Sequence, residues 1–202
     1  MNIIINETDH PLIIKVATVQ ATRVQVYFID NEEYFSRRAM TKDPNGNEYN
    51  DNGERAIFFA RSVLETVKKL RWIPDIIHCQ GWISALVPLY VKTAYKDEPS
   101  YADVKVVTSL FNKGFDNALE PEFLKFAEHR YTTAKVMKKY GVGVDYNTLM
   151  KMAIDYSDGV IETGSEVDSA LLEYAEAVET PLLRKQGEDF LEAYKQFYDN
   201  LQ

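Results

Sequence analysis

Apolar positions along the chain switch between the two-residue spacing of strands and the 3.6-residue spacing of helices. Leu12–Val19 and Arg23–Ile29 are rich in Ile, Val and aromatic residues and predict two strands. From Asp30 to Asn52 the apolar spacing stops. The stretch contains "DPNGNEYNDNG", whose turn residues predict a long loop, and a loop joining a strand end to a helix start is expected at a cleft mouth. Helical spacing returns from about Gly53 to Leu70, with Ile57, Phe58, Ala60, Val63, Leu64 and Val67 on one face. Asp51 and Glu54 there have the spacing of a capping box. A buried strand is predicted at 75–79, a helix at 83–95 and another strand at Val104–Leu110. The region 118–140 reads as helical, with Pro121 at its start. A helix opened by Asp145 closes near Gly159, Val160–Thr163 is a short strand, a further helix starts at Ser165, and Gly187–Leu201 is an amphipathic packing helix. Strands alternating with helices imply right-handed βαβ units and a mostly parallel sheet, so the fold class is α/β. Residues 1–202 read as a single domain.

Composition narrows the partners more than it narrows the fold. With 46% hydrophobic and 27% charged residues over 202 positions, there is enough apolar material for one sizeable core. A net charge of −8 argues against nucleic acid or an anionic membrane surface as partner. No apolar run approaches the roughly 20 residues that span a bilayer, and "MNIIINETDH" is not a signal peptide. One cysteine forms no internal disulfide, and with three scattered histidines it gives no metal pattern. The cytoplasm is the expected compartment.

Chemistry concentrates at one turn. In "PDIIHCQGWISALVPLYVK" a strand ends on His78-Cys79-Gln80-Gly81-Trp82 and a helix follows. In open α/β sheets such a turn, at the carboxyl end of a strand, is where ligands bind.

Three segments together resemble the N-terminal catalytic domain of bacterial glycogen synthases and plant starch synthases. "VYFIDNEEYFSR" (26–37) is similar to the family's "VYFIDNxxYFxR" and "DNGERAIFFARSVLE" (51–65) to its "DNxxRFxFFSRAxLE". "PDIIHCQGWISALVPLYVK" (74–92) is similar to "PDIxHxHDWxxxLxPxYLK". Their order and spacing also match, and the resemblance runs roughly from Val24 to Tyr174. It implies a Rossmann-like doubly wound, mostly parallel sheet, one half of a GT-B fold, and an ancestral transfer of glucose from ADP-glucose to an α-1,4-glucan. ADP-glucose would be the donor substrate, with no other cofactor and no metal.

The departures matter as much as the matches. Where the family has His-Asp before the tryptophan, this chain has Gln80-Gly81. Where the family has "TIHN" at the next strand end, it has Thr108-Ser109-Leu110-Phe111. The family's Lys-x-Gly-Gly loop, which holds the donor diphosphate on backbone N–H groups, has no counterpart in the sequence. No complete catalytic set is therefore expected.

The sugar- and acceptor-side candidates are Asp51, Arg55, His78, Gln80 and Trp82. Each also has a structural reading. His78 can cap a buried strand, Trp82 can be packing, Asp51 can be a helix cap, and Arg55 can form an ion pair that fixes the loop. Cys79 reads as a small buried hydrophobe, and Asn112-Lys113-Gly114 as a turn able to take an anion.

The expectation is a synthase-type domain truncated at both ends and inactive as this chain alone. The alternative is a non-catalytic glucan-binding or protein-assembly module, and an unrelated doubly wound nucleotide-binding domain is a third reading. Its ligands would be α-glucan or a nucleotide sugar. A first strand absent from the sheet would favour self-association or pairing with a missing domain.

Overall fold

The structure, a computed structural model, describes all of residues 1–202. Two antiparallel hairpins come first: β1 (Asn2–Ile5) with β2 (Thr8–Pro11), and β3 (Ile13–Val19) with β4 (Val24–Asp30). A four-residue helix α1 (Glu32–Phe35) follows inside the predicted loop, its first turn capped by Asn31 Oδ1 accepting from Tyr34 N at 2.9 Å. Then come α2 (Asn52–Lys69), β5 (Ile76–Gln80), a 3₁₀ turn at Trp82–Ser84, α3 (Leu86–Lys92) and β6 (Lys105–Leu110). The short helices α4 (Phe123–Phe126) and α5 (Ala134–Met137) lead to α6 (Tyr146–Asp155). The chain closes with β7 (Gly159–Glu162), α7 (Ser169–Ala177), β8 (Leu182–Leu183) and α8 (Phe190–Leu201).

Strands β5-β6-β7-β8 form one parallel sheet in that order, which bears out the α/β expectation. Side chains alternate across a strand, and here the alternation separates two layers. Cys79, Val106, Leu110 and Val160 join a cluster of 39 buried residues built with α2, α3 and α6. His78, Val107, Ser109 and Ile161 point to the other face, where α8 lies. A Cβ on Gly159 would meet Phe197 and Leu201 of α8 at 2.8 and 2.9 Å, so this close approach requires glycine. Strand β5 is an edge of the sheet, and Trp72 and Ile73 leading into it are 56% and 69% exposed. No helix is long and apolar enough to cross a membrane.

Three expectations need correction. Residues 118–140 are not one helix, because Arg130 takes a left-handed φ of 49° and a bridge pairs His129 with Thr132 between α4 and α5. The helix expected at Ser165 begins at Ser169, where Asp168 accepts from Ala170 N at 2.9 Å. The residues before it are tied instead to Asn112, which accepts from Glu166 N and donates to Ser165 Oγ. At α2 the Asp51 carboxylate caps nothing, and the Glu120 carboxylate takes its place, accepting from Gly53 N at 3.0 Å.

His129 gives the fold a pH dependence. Its ring packs against Tyr90 and Tyr95, with Nε2 buried and unpaired, and burial, reinforced by Arg61, Arg130 and Lys68, pushes its pKa down to about 4. Below the ordinary histidine value of about 6.5 the unfolded chain binds a proton that the folded chain refuses, so this site loses stability as pH falls from there towards 4. His129→Gln is expected to flatten the fall in urea midpoint across that window relative to the wild type. Parallel profiles for the two proteins would count against it.

Candidate functional site

Because α2 runs back to a short connection before β5, its N-terminus lies at the carboxyl ends of the parallel strands. The candidate residues collect at that end in two groups and one outlier.

The first group is held by arginines. Arg37 closes a bidentate pair on Asp51, with both N–O distances 2.5 Å. Arg55 is 3% exposed and has no carboxylate partner, so the expected ion pair is not what fixes the loop. Instead Nε donates to Tyr34 O at 3.0 Å, and Nη1 donates to Asn52 Oδ1 at 2.7 Å and to Met40 O. Burial lowers the Arg55 pKa from its ordinary value, while the nearby Asp51 charge acts the other way. The Tyr49 ring lies 4.6 Å from the Arg37 guanidinium carbon and 5.2 Å from that of Arg55. The loop is therefore built rather than loose. At its tip Asp43 accepts from Asn45 N and Asn47 N, and Glu48 accepts from Asp116 N and Asn117 N. A cavity of about 420 Å³ sits between this loop and residues 115–121.

The second group lies on the α8 face. His78 is half-buried, and burial lowers its pKa below the ordinary value, which keeps the ring neutral at pH 7. Both ring nitrogens are committed whichever tautomer is present: Nε2 lies 2.7 Å from Ser109 Oγ and Nδ1 lies 2.8 Å from the Tyr198 hydroxyl. Thr163 Oγ1 extends the chain, donating to Ser109 Oγ at 2.9 Å with Tyr194 Oη 3.3 Å away. Gln80, one pleat further on, is exposed. Gly81 has φ 75° and ψ 164°, a region essentially reserved for glycine, so the turn after β5 does not accept the aspartate of the family pattern without strain.

Trp82 is the outlier. It is 5% exposed, packs edge-to-face on Phe115 at 5.4 Å, and would lie 2.5 Å from a Cβ placed on Gly114. Its ring faces are occupied by protein and offer no platform to a sugar. Cys79 is equally internal, its thiol pushed up to about 12 by burial. Asn112-Lys113-Gly114 spends its side-chain amide on the 165–166 loop and its glycine on Trp82.

Three contributors escaped the sequence reading. Arg37 ends the "VYFIDNEEYFSR" motif, and that place was its signal. Tyr194 and Tyr198 stand four apart on the last helix, a spacing that marks a shared face without saying what it meets.

The starch synthase catalytic domain family matches residues 3–181. The chain belongs to that family. Glycogen synthase of Thermotoga maritima is 33% identical over 177 residues, covering 86% of this chain and 33% of the relative. Glycogen synthase of Clostridium botulinum (strain Alaska E43) is 38% identical over 160 residues, covering 77% and 30%, and that of Chlorobium luteolum is 38% identical over 136 residues, covering 62% and 28%. The chain thus spans a third or less of the length of these relatives. Among solved structures, the catalytic domain of starch synthase IV from Arabidopsis thaliana, bound to ADP and acarbose, superposes with a TM-score of 0.70. It is 17% identical, covering 92% of this chain and 39% of that one, and it carries the GT-B fold. The protein is a glycogen/starch synthase-like glycosyltransferase domain.

Proposed function

We propose that the chain serves the sugar and acceptor side of a glucosyltransferase using ADP-glucose and α-1,4-glucan, and that the 202-residue chain by itself binds glucan without transferring glucose to it. The observation that carries this reading is the composition of the strand tips. Gln80 offers an exposed amide, a group that orients sugar hydroxyls through hydrogen bonds. The neighbouring His78 is neutral and doubly committed, and Leu110 is fully buried, so the carboxyl ends of β5 and β6 present no free titratable group to move a proton. Asp51, locked by Arg37, holds the loop that borders the same end of the sheet. The Arabidopsis starch synthase IV structure, with ADP and acarbose bound, supports a nucleotide and a sugar-like ligand for this fold family.

Calorimetric titration of the purified chain with maltoheptaose tests the reading. Saturable binding is expected, with no comparable heat from an equal concentration of a β-1,4-linked oligosaccharide. Failure to bind maltoheptaose at millimolar concentration would remove it.

A further inference from the structure

Strand β5 ends the parallel sheet on one side, and no strand pairs with its outer edge. Lys105 N donates to Asp75 O at 3.0 Å, and in a parallel ladder residues that bond the neighbour alternate with residues that face away. Asp75, Ile77 and Cys79 therefore serve β6, while Ile76, His78 and Gln80 aim their main-chain groups outward. Gln80 O takes Ser84 Oγ at 3.0 Å, which leaves Gln80 N and the N–H and C=O groups of Ile76 and His78 without a strand partner. Free edges in folded proteins usually carry a lysine, a proline or a bulge that prevents further pairing. Residues 76–80 have none of these. They hold no charged group, their register with β6 is unbroken, and burial keeps the histidine neutral.

The two ends of this edge differ in charge. Before the strand, Lys69, Leu70, Arg71, Trp72 and Ile73 are all exposed, and while Lys68 pairs with Glu98, Lys69 and Arg71 have no acidic partner. At the carboxyl end α8 begins beside Gln80, where Phe190 and Leu191 border one groove with His78 and Gln80. Flanking them, Glu188, Asp189 and Glu192 are exposed and have no basic partner.

We propose that β5 is the interface of a twofold homodimer, in which the β5 strands of two copies pair antiparallel and continue the sheet from one protomer into the next.

Three features choose a second copy as the occupant. Antiparallel pairing centred on His78 sets it opposite the partner's His78, and Gln80 opposite the partner's Ile76, so the outward residues of one edge meet those of the other. The same pairing turns the amino end of one strand toward the carboxyl end of the other. The basic, apolar segment 69–73 of each copy then meets the acidic, apolar segment 188–192 of its partner, once at each end of the interface. Finally, Trp72, Ile73, Phe190 and Leu191, all exposed in the single chain, leave water together. Parallel pairing would set like charge against like. The net charge of −8 opposes association over distance. At about 0.15 M salt, where screening acts beyond about 8 Å, the contacts at the two ends decide the outcome.

Sedimentation equilibrium of the full chain at that salt concentration tests the interface. Wild type is expected to pass from monomer to dimer across the micromolar range and to stop there, because a twofold contact closes on itself. Lys69→Glu with Arg71→Glu makes the edge acidic at both ends, and Glu188→Lys with Glu192→Lys makes it basic at both. Each double variant is expected to dimerise at least about tenfold more weakly, since like charges then face each other. Mixed in equal amounts, the two are expected to recover wild-type association, because acidic ends again meet basic ones. Mixing does not cure a folding defect. Exchange of the Ile76 and His78 amides, slowing as protein concentration rises, reports the strand pairing itself. A monomer throughout, growth beyond the dimer, or a dimer indifferent to both reversals would overturn the interface. Weakening without recovery on mixing, or amides that exchange at one rate at every concentration, would overturn the antiparallel pairing.

Discussion

Arg55→Met lowers the stability of the fold by about 3 kcal/mol or more, the sum expected when three acceptors lose their donor at about 1–3 kcal/mol each and water recovers part of the loss. Arg55 is 3% exposed, and its guanidinium serves Tyr34 O, Asn52 Oδ1 and Met40 O, which belong to α1, to the start of α2 and to the loop between them. Methionine fills much of the volume but donates nothing, so the carbonyls are left facing an apolar side chain. Arg55→Lys is not a rescue, because one ammonium does not reproduce the fork that reaches three acceptors in different directions. The same change frees the loop: with Met40 O released, limited proteolysis is expected to cut within residues 38–50 much faster than in the wild type. Urea unfolding checks the first effect, and a shift worth less than 1 kcal/mol would show that the loop repacks without Arg55.

This arginine also shows where sequence reading reaches its limit. Its place in "DNGERAIFFARSVLE" marked it as a site candidate, and helical spacing placed α2 to within a residue at each end. Spacing could not say that Asp51, four residues earlier, would turn from the helix to Arg37, or that Glu120 would reach across the fold to the vacated N–H groups. Those choices are made by partners 14 and 67 residues away, and a local pattern does not encode them. Three strands of the parallel sheet, β5, β6 and β7, were legible because buried strands are rich in β-branched residues, whereas the two-residue β8 is too short to leave a pattern. Residues 118–140 were not, because a left-handed Arg130 and a two-residue bridge interrupt a stretch whose apolar residues would otherwise suit a helix. The amphipathic pattern of the last helix was plain, but the face of the sheet it covers followed only from Gly159 and His78.

The largest expected effect concerns turnover. Incubated with ADP-glucose and glycogen, the purified 202-residue chain is expected to incorporate no glucose above a heat-killed control. Stabilising a departing diphosphate takes preorganised donors and cations, and removing a single one typically lowers the rate by about 10²–10³. The family pattern has His-Asp where this chain has Gln80-Gly81, and a histidine where it has a fully buried Leu110. Lys-x-Gly-Gly is absent from the sequence, and whatever the remaining two thirds of the relatives' length supplies is absent from the assay. Two such losses already amount to at least about 10⁴-fold. Reverting the turn does not restore the activity. Gln80→His returns one titratable ring to an exposed position, while Gly81→Asp must adopt φ 75° and ψ 164°, at a backbone cost of about 1–3 kcal/mol. Radiolabelled incorporation by the wild-type chain, scaling with its concentration, would overturn this expectation. It would mean that the exposed Gln80 amide does the work for which the family pattern has a histidine and an aspartate.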